Sequence, residues 1–188
     1  KKKIIIAVNS TFNLINHRVG LINGLLDGGY KVVAISPTDE FASRVKELDC
    51  HHVPLQMERK GTNIAQDLLL FWRYRTVLKQ YMPDIYLGFT AKPNIYGSLA
   101  AQSLGIPVIN NISGLGTVFG AMSTSLVGSL LARLLRVLYW FALSRSDKIF
   151  FQNKDDRLEF IEKGVVKDHL TDLLPGSGVD LERFAYNP

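Results

Sequence analysis

Residues 83–111, PDIYLGFTAKPNIYGSLAAQSLGIPVINN, decide the fold. Two apolar runs of strand length, Asp84–Gly88 and Pro107–Asn111, stand on either side of a helical pattern over Asn94–Leu104. The runs are continuously apolar, as strands covered on both faces must be. Strand, helix and strand in that order make one βαβ unit of a parallel sheet. Pro93 stands at the helix start, where a missing amide hydrogen costs nothing. Gly97, Ser98, Ala100 and Ala101 are small enough to let the helix lie close against the sheet.

The same alternation continues in both directions. Further strands are expected at Lys3–Val8, Lys31–Ser36, His51–Leu55, Lys148–Gln152 and Thr171–Leu174. Between them a first helix carries Val19, Ile22, Leu25 and Leu26 inward and stops at Gly28-Gly29. Others are expected at Glu40–Leu48, Ile64–Tyr81, Thr124–Ser144 and Lys154–Lys163. The class is α/β, a doubly wound Rossmann-like parallel sheet of seven strands, and 188 residues suit one such domain. Ligands of these sheets bind outside the carboxyl ends of the strands, so function is expected in the strand-to-helix loops.

Composition removes several classes of function. The net charge of +5 is mild and the basic residues are scattered, which disfavours nucleic acid. A single cysteine leaves no internal disulfide and fits a reducing compartment. The apolar run after Lys1–Lys3 has the length of a buried strand and not of an export signal, so a cytoplasmic protein is expected, in which Asn9-Ser10-Thr11 and Asn111-Ile112-Ser113 are chance glycosylation matches. Cys50-His51-His52 lies on a strand whose alternate residues face opposite sides, so no metal site is expected. One imbalance stands out: residues 85–146 hold no Asp or Glu, yet include Lys92, Arg133, Arg136 and Arg145, a segment suited to anions.

The loops carry the chemistry. The first, NSTFNLINHR, has no glycine where a dinucleotide-binding loop would need three, which disfavours a close backbone grip on a pyrophosphate there. It offers Asn9, Ser10, Thr11, Asn13, Asn16, His17 and Arg18, a hydrogen-bonding set suited to sugars, or in part to capping of the first helix by Asn13 or Asn16. Lys92, just before a helix start, either holds a phosphate or is a solvated lysine. Gly114, Gly116 and Gly120 after the fifth strand imply a tight backbone path whose amides could face an anion. In the following helix Ser129, Arg133, Arg136 and Trp140 form one stripe. Two arginines argue against a membrane span; the stripe suits either the surface of an anionic membrane or one solvated edge of a buried helix.

Four stretches together, KPNIYGSLAA, ISGLG, FFQNKDDRLEFIEKG and LLPGSGVDLERF, resemble the amino-terminal half of family-four retaining glycosyltransferases, in the subgroup that builds bacterial capsule, O-antigen and other polysaccharides. Asn16-His17-Arg18 is similar to the Asn-Phe-Arg of that subgroup, with His in place of the aromatic residue. The resemblance implies a two-lobed GT-B fold with this chain as the N-terminal lobe. Residues 1–176 would form the acceptor-binding domain and 177–188 would begin the interdomain linker, the donor-binding domain being absent from the sequence. It further implies a glycan acceptor, lipid-linked or soluble, often on an undecaprenyl diphosphate carrier. No cofactor is expected on this domain; a UDP-sugar or other nucleotide sugar would sit on the missing lobe, and alone the chain should transfer no sugar.

By the same resemblance Arg18, Lys92, Asn94, Asn110, Asn111, Ser113, Gly114, Gly116, Gln152 and Asn153 would line the acceptor cleft, joined by Asn9, Ser10 and Asn13 of the polar first loop. Gly176, Gly178 and Asp180 would form its rim and hinge, and Arg133, Arg136 and Trp140 would touch an anionic membrane from the cytoplasmic side. Many relatives carry a histidine where this chain has Ser113, so no catalytic base is assigned. Two alternatives remain: a non-catalytic subunit that docks a separate catalytic lobe, and a nicotinamide-dependent oxidoreductase domain. The glycine-free first loop and the lack of an acid closing the second strand at Ile35-Ser36 disfavour the latter.

Overall fold

A computed structural model describes residues 1–58, 63–114 and 126–178. Seven strands, β1 (Lys3–Ala7), β2 (Lys31–Ser36), β3 (His51–Pro54), β4 (Ile85–Phe89), β5 (Val108–Ile112), β6 (Lys148–Phe151) and β7 (Thr171–Leu173), form one sheet. Its order is β3-β2-β1-β4-β5-β6-β7 and every pairing is parallel. The order reverses between β1 and β4, where such sheets open a crevice at their carboxyl edge.

Strand alternation builds two cores. On one face Ile5, Val33, Tyr86, Val108 and Phe151 meet α4 (Ile64–Tyr81), α5 (Ser98–Gln102), α6 (Leu126–Leu143) and α7 (Lys154–Glu162). On the other, Ile6, Val8, Val32, Ala34 and Phe89 meet α1 (Thr11–His17), α2 (Val19–Asp27) and α3 (Ala42–Val45). Ile5 and Ile6 are both fully buried, and each is worth about 2 kcal/mol relative to exposure.

Three segments depart from the sequence reading. The polar first loop is mostly helix: α1 occupies residues 11–17, and α2 follows after a break at Arg18 (φ −124°, ψ −4°). Ser10 caps α1, its Oγ accepting from the Asn13 amide at 3.1 Å, so neither Asn13 nor Asn16 is the cap. The helix expected over Asn94–Leu104 opens with a π-helical turn, Pro93–Gly97, before α5. The cause lies on β4. Tyr86 is fully buried beneath the turn and its hydroxyl donates to the Pro93 carbonyl at 2.9 Å. A wedge between turns widens a helix in this way. The helix expected over Glu40–Leu48 contracts to α3.

Candidate functional site

The loops at the carboxyl edge are held by specific side chains. Asp39, after β2, accepts from the Thr11 amide at 2.9 Å and from the Phe41 amide at 3.0 Å, and also takes the Thr11 hydroxyl. The carboxylate therefore anchors the first turn of α1 to the neighbouring loop, where its charge also favours the helix dipole. Thr90, after β4, sits at φ 68°, a left-handed conformation that a β-branched residue adopts only under constraint from its surroundings.

A cavity of about 290 Å³ opens at this edge between α1, β4, β5, β6 and the turn after β7. Its walls are apolar, with Leu87, Phe89, Ile109, Phe150 and Leu174, and Arg18 lines it. The Arg18 side chain is driven inward by its place at the α1–α2 break and is only 4% exposed. Its guanidinium stacks on the Phe89 ring at 4.0 Å. Nη1 donates to the His17 carbonyl at 3.2 Å and to Ser177 Oγ at 2.9 Å, while Nε is buried with no hydrogen-bond partner. Burial pulls the guanidinium down to about 10, which leaves it charged at neutral pH.

The expected site residues separate into groups. Arg18, Asn110, Asn111 and Gly176 line the cavity, and Gln152 reaches it through bonds to Ser177 Oγ (3.2 Å) and Asn111 Oδ1 (3.4 Å). Asn94 lies beneath it, 1% exposed, and joins a buried polar network in place of the cleft surface. In that network Asn110 Nδ2 donates to Asn94 Oδ1 (2.9 Å) and Ser98 Oγ (2.8 Å), Ser146 Oγ donates to Asn110 Oδ1 (2.7 Å), and Asn94 Nδ2 donates to the Asn111 carbonyl (2.9 Å).

Lys92 does not stand free for a phosphate: its ammonium bonds Asp67 on α4 at 2.6 Å, both groups are largely buried, and Tyr96 donates to the same carboxylate at 2.9 Å. Burial first, and that carboxylate second, push the Tyr96 phenol upward. Asn153 caps α7, accepting from the Asp156 amide at 2.7 Å. Ser113 and Gly114 are exposed at the end of β5, Gly114 with φ 142°. Asn9 is half-buried, Ser10 is the cap of α1, and Asn13 keeps a buried Oδ1 without a partner. Gly178, like Gly176, has φ 75° in the turn after β7. Gly116 and Asp180 lie outside the described residues. Phe89 and Ser177, which hold the Arg18 guanidinium, carried no sequence signal of their own.

On α6, Leu134, Val137, Trp140 and Phe141 are exposed, Arg133 is exposed and Arg136 half-buried. Arg133, Arg136 and Trp140 line a hollow with Lys163 from the end of α7. Among the described residues no helix is long and apolar enough to cross a membrane. Among them, too, no three His, Cys, Asp or Glu converge: His52 bonds Ser36 Oγ at 2.8 Å, and His51 bonds the Tyr81 hydroxyl at 2.7 Å. Burial and Asp49 raise the Cys50 thiol to about 11, so it is no thiolate at neutral pH. The arrangement presents a buried cation and polar loop groups at the carboxyl edge of the sheet.

A family model described as glycosyl transferase 4-like matches residues 4–153. An N,N'-diacetylbacillosaminyl-diphospho-undecaprenol alpha-1,3-N-acetylgalactosaminyltransferase of Campylobacter jejuni is 23% identical over 173 residues, which is 92% of this chain and 45% of that protein. Among solved structures, a glycosyltransferase from Rickettsia africae superposes with a TM-score of 0.68 at 15% identity, over 98% of this chain and 45% of its own. The UDP co-structure of S. aureus MnaA gives 0.68 at 15% identity, over 100% and 47%. Acinetobacter baumannii MurG gives 0.61 at 16%, over 96% and 46%. The chain thus spans about half the length of the relatives it matches, and the structural likenesses show the fold.

Proposed function

The chain belongs to the glycosyl transferase 4-like family, and from that premise we propose that it is the acceptor-binding half of a retaining glycosyltransferase. In the whole enzyme a sugar would pass from a nucleotide-diphosphate sugar to a glycan on an undecaprenyl diphosphate carrier, in the assembly of a surface polysaccharide such as capsule or lipopolysaccharide O-antigen. The match of residues 4–153 carries this reading. The printed activity of the Campylobacter relative, on a diphospho-undecaprenol sugar, supports the acceptor class, and the UDP held by the staphylococcal neighbour supports the donor class. Residues 1–176 are the acceptor lobe in this reading, and 177–188 begin the passage to a second, donor-binding lobe. In the whole enzyme the chemistry would be electrostatic help to a departing diphosphate and positioning of the attacking hydroxyl, the latter falling to this lobe.

Calorimetric titration tests the division of labour. The 188-residue chain is expected to bind a short-chain polyprenyl-diphosphate sugar, and to bind a UDP-sugar no more tightly than bare pyrophosphate. A strong extra contribution from the nucleoside would place donor recognition on this lobe and overturn the proposal.

We further place the lobe at the inner face of the membrane through α6, where Leu134, Val137, Trp140 and Phe141 present apolar surface beside Arg133, Arg136 and Arg145. Each basic residue near an anionic surface contributes about 1 kcal/mol, so changing Arg133 and Arg136 together to Glu should weaken binding to phosphatidylglycerol vesicles by at least about 30-fold. Sedimentation with vesicles measures this, and unchanged binding would return α6 to the role of an ordinary domain helix.

A further inference from the structure

Arg18 is a buried cation with no counter-ion among the described residues. Among the described residues that line its cavity there is no Asp or Glu. A charge taken out of water is retained when something compensates it, and here the stacking on Phe89 and two neutral acceptors account for only part of the guanidinium. The Nε–H, fixed by that stacking, stays buried and unsatisfied.

Ser177 stands at the exposed rim of the same cavity. A hydroxyl has two acceptor lone pairs and one hydrogen. Arg18 Nη1 and Gln152 Nε2 both donate to Ser177 Oγ, at 2.9 and 3.2 Å, so both lone pairs are taken. Its remaining capacity is to donate. Arg18 and Ser177 can therefore both donate to an acceptor-rich partner in one cavity. The apolar walls of Leu87, Ile109 and Phe150 strengthen any such contact by lowering the local dielectric.

We propose that this cavity is a phosphate subsite, in which the Arg18 Nε–H and the Ser177 hydroxyl hold an oxygen of a phosphate or diphosphate group. Its volume of about 290 Å³ has room for two linked phosphates. Arg matches the task because its planar fork offers several donors in a fixed geometry. The subsite deepens the acceptor reading, since a carrier-linked sugar and a nucleotide sugar both bear a diphosphate, but its test requires no sugar transfer.

Pyrophosphate is titrated into the ¹⁵N-labelled 188-residue chain while the Arg18 Nε–H resonance is followed, assigned by its loss in Arg18→Lys. The resonance is expected to move downfield and saturate. Arg18→Met should weaken pyrophosphate binding by about 10-fold or more, the worth of a charge-assisted hydrogen bond, and Ser177→Ala by a few-fold. Arg18→Met should fold with an unchanged or higher urea midpoint, because an uncompensated buried charge is replaced by an apolar chain of similar length. Such opposite effects on binding and stability are not those of a merely structural arginine.

An Nε–H that does not move at saturating pyrophosphate, or equal binding by Arg18→Met, overturns the subsite. Acetate that binds as tightly as pyrophosphate would make it a carboxylate site and also overturn it. Parallel titrations distinguish the sources: a preference for polyprenyl diphosphate over UDP assigns the subsite to the acceptor. The reverse preference keeps the subsite and defeats the acceptor reading. Acceptor binding with no response at Arg18 keeps the acceptor reading and defeats the subsite.

Discussion

Gly97→Ala is expected to destabilise the protein by about 3 kcal/mol or more, one methyl group having the effect of a large core disruption. A Cβ at position 97 would lie 1.8 Å from the Tyr86 hydroxyl oxygen and 2.5 Å from Cζ of that ring. Neither can retreat easily: Tyr86 is fully buried on β4, its ring meets the edge of Tyr74 at 6.2 Å, and its hydroxyl is bonded to Pro93. Urea unfolding followed by circular dichroism measures the effect. Tyr86→Phe combined with Gly97→Ala should recover only part of the loss, because removal of the oxygen leaves the 2.5 Å contact with the ring. A Gly97→Ala protein within about 1 kcal/mol of the parent would show that the turn can shift, and the wedge account of the π-helical turn would fail.

The second large effect is expected at Asn110. Asn110→Leu keeps the volume and removes three hydrogen bonds at once, leaving Asn94 Oδ1, Ser98 Oγ and Ser146 Oγ buried without this partner. Each orphaned polar group costs about 1–3 kcal/mol, so a total loss near 4 kcal/mol is expected. Because the network ties β5 to the π-helical turn and to the segment that enters β6, the variant should also expose the amides of Asn94–Ser98 to faster hydrogen exchange. Exchange that changes only on β5 would mean that the side chains repack locally and the network couples nothing.

All seven strands could be read from the sequence to within a residue or so, because β-branched and apolar runs in a sheet buried on both faces leave a strong local signal. The 18-residue helix α4 has the limits that its pattern suggested, Ile64–Tyr81, and Asn63 caps it. Helix α1 was hidden: TFNLINH contains two apolar side chains that reach the core, Leu14 and Ile15, an exposed Phe12, and otherwise the polar residues typical of loops. The π-helical turn was hidden for another reason. Nothing in PNIYG announces it, since the wedge is supplied by Tyr86, a strand residue of the preceding element.

The candidate site was legible in its types of residue and not in their use. Polar residues did gather at the carboxyl edge, but which are spent on structure depends on tertiary partners. Lys92 meets an aspartate 25 positions earlier, and Asn94 turns inward to Asn110. Arg18 looked like one polar group among seven, and only the path of the backbone between α1 and α2 buries it against Phe89. Ser177 stood between two glycines that drew attention to the turn and away from the hydroxyl within it.

The strand order also governs how the protein is made. β1 pairs with β2 on one side, about 28 positions on, but its other partner, β4, is about 80 positions away. A ribosome adding roughly 5–20 residues per second leaves that edge of Ile4–Ala7 unpaired for on the order of ten seconds. An open apolar strand edge is a template for joining other nascent chains. Lys1 and Lys2 are exposed beside that edge and Lys3 opens the strand, so charge flanks Ile4–Ala7 throughout the interval, the kind of placement that discourages edge-to-edge aggregation.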